Sequence, residues 1–289
     1  MRCINIFLIR LFNYLFRRNN PLYFRVDFHN TFGFKRKLDL KNPIDVFIDI
    51  IPSSTNKYNR VLVLLEPNEI SGLRKDVLNL SQNYFDLILT HDPIILKHFS
   101  NAKKFVFGTS WIKDYKFNKK LFGVSTLIGG KTITPLHRLR HQLIDLLELD
   151  FNVNLFFFNS INENFSSSDS RLLKMQSKNS KNELFLWQFH IVIENVISEN
   201  WFTEKIIDCF QSKTVPIYLG CPNIGDYFNL NGIIVVKDYL DIINVLKNIN
   251  FDTYVSMQEF VNINYEQSKQ YIDFGARLES EVILFDSLL

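Results

Sequence analysis

Residues 189 to 222 read Phe189-His190-Ile191-Val192-Ile193-Glu194-Asn195, then a short polar loop, then Trp201-Phe202-Thr203-Glu204-Lys205-Ile206-Ile207-Asp208, and finally Val215-Pro216-Ile217-Tyr218-Leu219-Gly220-Cys221-Pro222. The first run is apolar and β-branched and stops at a carboxylate, which predicts a buried strand over His190 to Ile193. Thr203 is a natural N-cap and Glu204 occupies the first turn where the helix dipole favours it, so a helix over Thr203 to Gln211 follows. Val215 to Leu219 is a second strand, closed by Gly220 and Pro222. This order sets Lys205 and free backbone N–H groups at a helix N-terminus that faces the end of a strand. An anion such as a diphosphate fits that geometry, and a neighbouring carboxylate can accept hydrogen bonds from ribose hydroxyls.

Outward from this stretch, short apolar runs alternate with longer amphipathic ones from about residue 44, the signature of an α/β chain with parallel sheets. Strands are predicted over Val46 to Ile51, Val61 to Leu65, Phe85 to Thr90 and Lys104 to Phe107, with a short helix from Ile94 to Phe99. Strands Gly123 to Ile128, Val153 to Phe158 and Ile233 to Val236 and helices Leu136 to Leu149 and Tyr239 to Ile249 continue the alternation. Asp252 to Leu289 reads as wholly helical, able to pack back across both lobes. Two α/β halves, residues 1–115 and 116–289, would enclose a cleft at the carboxyl ends of their sheets, where such folds bind ligands.

The composition narrows the class. The chain has 289 residues, 46% of them hydrophobic and 22% charged, with 10 Gly and 8 Pro, enough apolar material for one or two cores and unlike collagen, disorder or a disulfide-stapled mini-protein. Its 28 Phe carry no weight for nucleic-acid stacking, because a biased genome gives the same excess. Cys3, Cys209 and Cys221 form no C-x-x-C pair, so neither a disulfide framework nor a thiolate zinc site is indicated, and a reducing, cytoplasmic setting is expected. Residues 1 to 60 hold eleven Lys/Arg against four Asp. Such a basic end suits a solvated face, a phosphate-rich membrane surface or acidic glycans. Residues 1–18 are too interrupted by arginine to span a bilayer and read equally as an interfacial anchor giving peripheral membrane contact or as a strand, Cys3 to Ile9, followed by a helix.

The 189–222 stretch closely resembles the signature of glycosyltransferase family ten, the α-1,3-fucosyltransferases: a strand ending in Glu-Asn, then Thr-Glu-Lys, then a Val-Pro-Ile-Tyr-x-Gly-x-Pro strand and turn. The resemblance implies a GT-B fold of two Rossmann-like lobes, the carboxyl-terminal one binding a GDP-sugar, usually GDP-fucose, for transfer to a glycan. Carried over by position, Asn195, Glu204 and Lys205 line the nucleotide and sugar, and Trp201 stands where an aromatic residue commonly lies. Val196 replaces the Ser or Thr that usually follows the Asn, which leaves the sugar open.

A second constellation is Ser125-Thr126-Leu127-Ile128-Gly129-Gly130-Lys131-Thr132, followed after Pro135 by His137-Arg138-Leu139-Arg140-His141. Gly-Gly-Lys-Thr suggests a phosphate-binding P-loop, but Ser125 stands at the required first glycine and Pro135 delays the helix, against an NTPase. By the family resemblance, Arg140, with Asp145 five residues on, contacts the diphosphate, with Lys131 and Arg138 in reserve; the alternative is a wet helix face opposite Leu139, Leu143 and Leu147. In the first half Arg60 to Leu65 runs into Glu66, a carboxylate at a strand end that can serve as the base for an inverting transfer, and Glu66 matches the family's Glu better than Glu69. His91 and Asp92 end the next strand and are expected to lie exposed to the cleft, on the acceptor side. A metal site from His29, His91, Asp92 and His98 lacks a recognised ligand spacing. The chain contains no D-x-D triplet, so no metal is expected and positive side chains would stabilise leaving GDP. Two further readings stay open: a transferase of another GDP-sugar, and a silent nucleotide- or sugar-binding relative.

Overall fold

In the computed structural model the described residues are 40–42, 44–52, 59–112, 115, 119–159, 169–175 and 178–289. The two readings of residues 1–18 and the metal candidate His29 lie outside them. The chain forms two compact units: one runs up to Phe107 and takes in Asp273–Leu289, and the other is Gly108–Ile272.

The first unit holds a four-stranded parallel sheet of β1 (Ile44–Ile48), β2 (Asn59–Leu64), β3 (Leu87–Thr90) and β4 (Ala102–Lys104), in that order. The run after Arg60 is apolar at every position because both faces are covered. Val61, Val63 and Leu65 pack with Phe105 and the terminal helix on one side, while Leu62 and Leu64 meet Leu73, Val77, Phe85 and Ile95 on the other. The terminal helix Phe274–Leu288 turns Phe274, Leu278 and Val282 into that core, and Asp286 on the same stripe accepts the backbone N–H groups of Lys41 at 2.7 Å and Asn42 at 2.9 Å.

The second unit holds a six-stranded parallel sheet in the order β10-β9-β8-β5-β6-β7, from β5 (Leu121–Ile128), β6 (Leu155–Asn159), β7 (Leu172–Lys174), β8 (Trp187–Ile193), β9 (Val215–Leu219) and β10 (Ile234–Val235). The chain builds outward from β5 to β7, returns to lay β8 beside β5, and continues the other way. The carboxyl ends of β5 and β8 therefore form the topological switch point at which doubly wound sheets bind ligands. Val124, Phe157, Phe189, Ile191, Val215 and Ile217 fill its core, closed by Leu143 and Leu146 on one flank and Ile242, Leu246 and Val261 on the other.

Several expected boundaries shift, three of them with a physical reason. Helix Leu136 to Leu149 is α-helical only over Pro135–Gln142 and tightens to a 3-10 helix over Leu143–Glu148, which puts Leu143 and Leu146, three apart, against the core. The strand at Lys104 to Phe107 is Ala102–Lys104, with one further ladder bond from Phe105 N–H to the Thr90 carbonyl at 2.9 Å. The wholly helical tail breaks after Tyr271, where Asp273 caps a new helix by accepting the Ala276 N–H at 2.9 Å. That break separates the units, so the tail belongs to the first unit rather than to the 116–289 half. The other crossing is at Gly108, whose φ is +23° and where a Cβ would sit 2.9 Å from the Phe202 ring. Cys209 and Cys221 are buried free thiols.

Candidate active site

The site grows from the end of β8. Glu194 follows the strand with 0% of its surface exposed, a place a carboxylate occupies only when its oxygens are satisfied. Its Oε1 accepts the Thr203 N–H at 2.9 Å and its Oε2 accepts the Thr203 hydroxyl at 2.8 Å. This clamp ties the strand end to the start of the helix Glu204–Gln211, whose first turn Thr203 caps by accepting the Lys205 N–H at 3.3 Å. Gly220, at the end of β9, leaves the room: a Cβ there would lie 2.5 Å from Glu194 Cγ and from the Tyr218 hydroxyl.

Lys205 Nζ donates to Thr203 Oγ1 at 3.0 Å and lies 3.3 Å from Glu204 Oε1 and 3.4 Å from Glu194 Oε2. Burial disfavours its charge, but the Glu204 and Glu194 carboxylates outweigh that and hold the ammonium above its usual range. For Glu204 too burial is outweighed, here by Lys205 and Lys181, and its carboxyl is held below the ordinary value. From the other side of the switch point, Thr134 caps the helix Pro135–Gln142 and donates its hydroxyl to the Asn195 carbonyl at 2.6 Å. One turn on, Arg140 Nη2 donates to Asn195 Oδ1 at 2.6 Å, and Arg140 Nε is buried without a protein partner. Burial pulls the guanidinium below its ordinary value, against the pull of Glu194 and Glu204.

The structure thus brings together Arg140, Asn195, Glu204 and Lys205. Lys131 stays exposed on the loop after β5, and the helix starts only at Pro135, beyond the Gly129-Gly130-Lys131-Thr132 turn, unlike a P-loop. Trp201 is corrected: it is 2% exposed, so its indole offers no face to a ligand. Its backbone N–H donates to the Cys221 sulfur. Sequence reasoning missed Glu194 as the clamp, Thr134 as the bridge and Lys181, whose Nζ lies 3.6 Å from the Trp111 ring centroid and 4.0 Å from Asp208 Oδ2. Asp208 accepts the Ser110 hydroxyl and the Trp111 N–H, each at 2.8 Å, and burial pushes its carboxyl up to about 6 against Lys181. His137 is neutral: burial, then Arg140, Lys131 and Lys205, hold it at about 4. Carboxylates hold Lys205 and Lys181, the Asn195 amide oxygen holds Arg140, and the helix amides supply the field for an incoming anion.

In the first unit, Glu66 is exposed just after β2, and its N–H lies 3.3 Å from Asp49 Oδ2. Asp49 takes a left-handed φ of 48° and accepts the Leu65 N–H at 2.9 Å; burial and Glu66 push its carboxyl up to about 8. Glu69 is exposed in the short helix Asn68–Ser71. His91 and Asp92 are not exposed, being 2% and 5% accessible. Asp92 caps the helix Pro93–His98 and pairs with Arg74 at 2.5 Å, while burial lowers His91 to about 4. Among the described residues no three His, Cys, Asp or Glu are grouped to hold a metal, and no helix is long and apolar enough to cross a membrane.

Residues 134–271, from the Thr134 cap to the end of the second unit, match the family described as glycosyltransferase family 10 (fucosyltransferase), C-terminal. Over this segment the chain is similar to glycosyltransferase family 10. An α-(1,3)-fucosyltransferase of Helicobacter pylori is 28% identical over 96 residues, 33% of this chain and 20% of that protein, so the match spans about a fifth of the relative's length. A crystal structure of an α1,3-fucosyltransferase aligns with TM-score 0.51 at 14% identity, covering 82% of this chain and 78% of the other. HepE of Anabaena, solved with UDP-glucose, aligns with TM-score 0.58 at 11% identity over 81% of this chain and 73% of its own. The chain shares the GT-B fold of these two structures.

Proposed function

We propose that the chain is an inverting glycosyltransferase that moves a sugar, L-fucose first among candidates, from a GDP-sugar to a glycan hydroxyl. The observation that carries this reading is the convergence of Arg140, Asn195, Glu204 and Lys205 at the switch point of a family 10 segment. Arg140 and Lys205 bind the diphosphate, and with the first amides of the Glu204 helix they stabilise the charge that grows on leaving GDP. Glu204 takes ribose hydroxyls. These cations supply the stabilisation that a bound ion gives other transferases, so transfer needs no metal. Glu66 removes the proton of the acceptor hydroxyl as its oxygen attacks the anomeric carbon.

The test is thermal stabilisation by GDP against UDP, ADP and CMP, followed by a mass-spectrometric screen of GDP-sugars with and without EDTA. GDP should stabilise selectively and GDP-fucose should give product. UDP selectivity, which the likeness to HepE makes the natural competitor, would reassign the donor. GDP binding without turnover of any sugar would leave a silent binding relative.

A further inference from the structure

The amino-terminal edge of the six-stranded sheet carries an open cavity of about 390 Å³. Gln188 on β8 and Glu194 just past its carboxyl end are six residues apart, so this edge lies about 20 Å from the Glu204 helix mouth. Lys119 and Lys120, just before β5, and Lys213, just before β9, line the cavity, and no carboxylate does among the described residues. Lys120 Nζ donates to Thr214 Oγ1 at 2.9 Å, to the Tyr115 hydroxyl at 3.0 Å and to the Phe185 carbonyl, all uncharged acceptors. Burial accordingly pulls its ammonium down to about 7, a position that a nearby anion would relieve.

Two neutral features narrow the anion. Gln188 is 2% exposed, and its side-chain oxygen is buried with no partner, although it lines the cavity. A buried acceptor left unmade is costly, and a hydroxyl donor would satisfy it. Phe251, at the start of the helix Phe251–Ser268, is 55% exposed on the cavity wall beside Tyr254 and presents an apolar ring face. Cations, a hydroxyl acceptor and an aromatic plate are the complement of a sugar that carries an acid group.

We propose that this edge is a second binding site, separate from the donor site, for an anionic sugar whose acid lies among Lys119, Lys120 and Lys213, whose ring rests on Phe251 and whose hydroxyl donates to Gln188. The full chain is titrated calorimetrically with glucose 6-phosphate, glucuronate, glucose and inorganic phosphate. One or both sugar acids should bind, and the stronger names the acid; glucose should not. Lys120 is left intact because its ammonium is hydrogen-bonded to Thr214, Tyr115 and Phe185 within the unit. The pair Lys119→Gln/Lys213→Gln should weaken binding by about ten-fold or more, and Gln188→Leu should weaken a sugar acid but not inorganic phosphate. Arg140→Ala, which disables the donor site, should bind the sugar acid as the parent does. Loss of binding in Arg140→Ala with retention in the lysine pair would overturn the proposal, as would no binding of either acid at millimolar concentration. Inorganic phosphate binding as tightly as glucose 6-phosphate, with Gln188→Leu silent, would overturn the sugar assignment.

Discussion

Glu194→Gln tests the electrostatic design of the donor site with the least change of shape. In the parent both carboxylate oxygens accept from Thr203, at 2.9 and 2.8 Å, and Lys205 stands 3.4 Å away. The amide keeps one oxygen for the Thr203 N–H, but its NH2 then faces Thr203 Oγ1, which already receives the Lys205 Nζ and N–H. The Thr203 hydroxyl proton loses its acceptor, and a charge-assisted bond worth about 1.5 to 3 kcal/mol goes with it. Breaking a buried ion pair costs about 3 to 5 kcal/mol, but Lys205 retains Glu204 at 3.3 Å. The expected cost is therefore about 3 kcal/mol. For a unit of the size of Gly108–Ile272, that lowers Tm by roughly 6 to 12 °C. GDP brings its own anion to the cations, so saturating GDP should raise Tm more in the variant than in the parent. Differential scanning fluorimetry with and without GDP reads both effects. A variant melting within about 2 °C of the parent, with the same GDP increment, would refute the clamp.

Arg140→Ala and Lys205→Ala should each weaken GDP binding by roughly 10- to 100-fold in calorimetry and slow transfer in parallel; normal GDP affinity in both would displace the diphosphate from this site. Glu66→Gln should slow transfer by about 10²- to 10⁴-fold with GDP affinity unchanged, and unchanged turnover would remove Glu66 as base. Gly220→Ala should destabilise the second unit by roughly 3 kcal/mol, read in urea melts, because the new Cβ meets Glu194 and Tyr218 at 2.5 Å. Burial, then Lys181 and Lys120, hold His190 at about 3 when folded, below its unfolded value. The stability it contributes is complete above pH 6.5 and is lost as pH falls towards 3, with His137 acting in the same sense and Asp208, raised to about 6, in the opposite one. His190→Asn should flatten the stability profile between pH 6.5 and 4 by up to ~1.4 kcal/mol per pH unit, and an unchanged slope would refute the assignment.

What could be read ahead of the structure was local. Apolar runs bounded by turn residues announce β2, β8 and β9, and Thr203 announces its helix, because a strand's burial and a cap's hydrogen bond are settled within a few residues. The same locality misplaced other groups. Asp92 at a strand end looked poised for a ligand, yet one residue before Pro93 it is a helix cap, and that reading was equally available from the sequence. Glu194 gave a weaker sign, since a carboxylate directly after five apolar or aromatic positions is either the first exposed residue or a buried one with fixed partners, and only the Thr203 clamp decides between them. Asp208 meets the Trp111 N–H across 97 positions and Arg140 meets Asn195 across 55, pairings without a periodic trace. They arise because the chain returns from β7 to lay β8 beside β5, which sets the loop after β5 and the loop after β8 at one edge. Each loop then opens a helix with a capped first turn, and a cation on each helix can face the same point. That is why the strand order, more than any triplet of residues, makes Arg140 and Lys205 partners. It also follows that disturbing the β5–β8 pairing, for instance by a proline at Thr126, whose partner is Ile191, should abolish GDP binding while both cations remain in the chain.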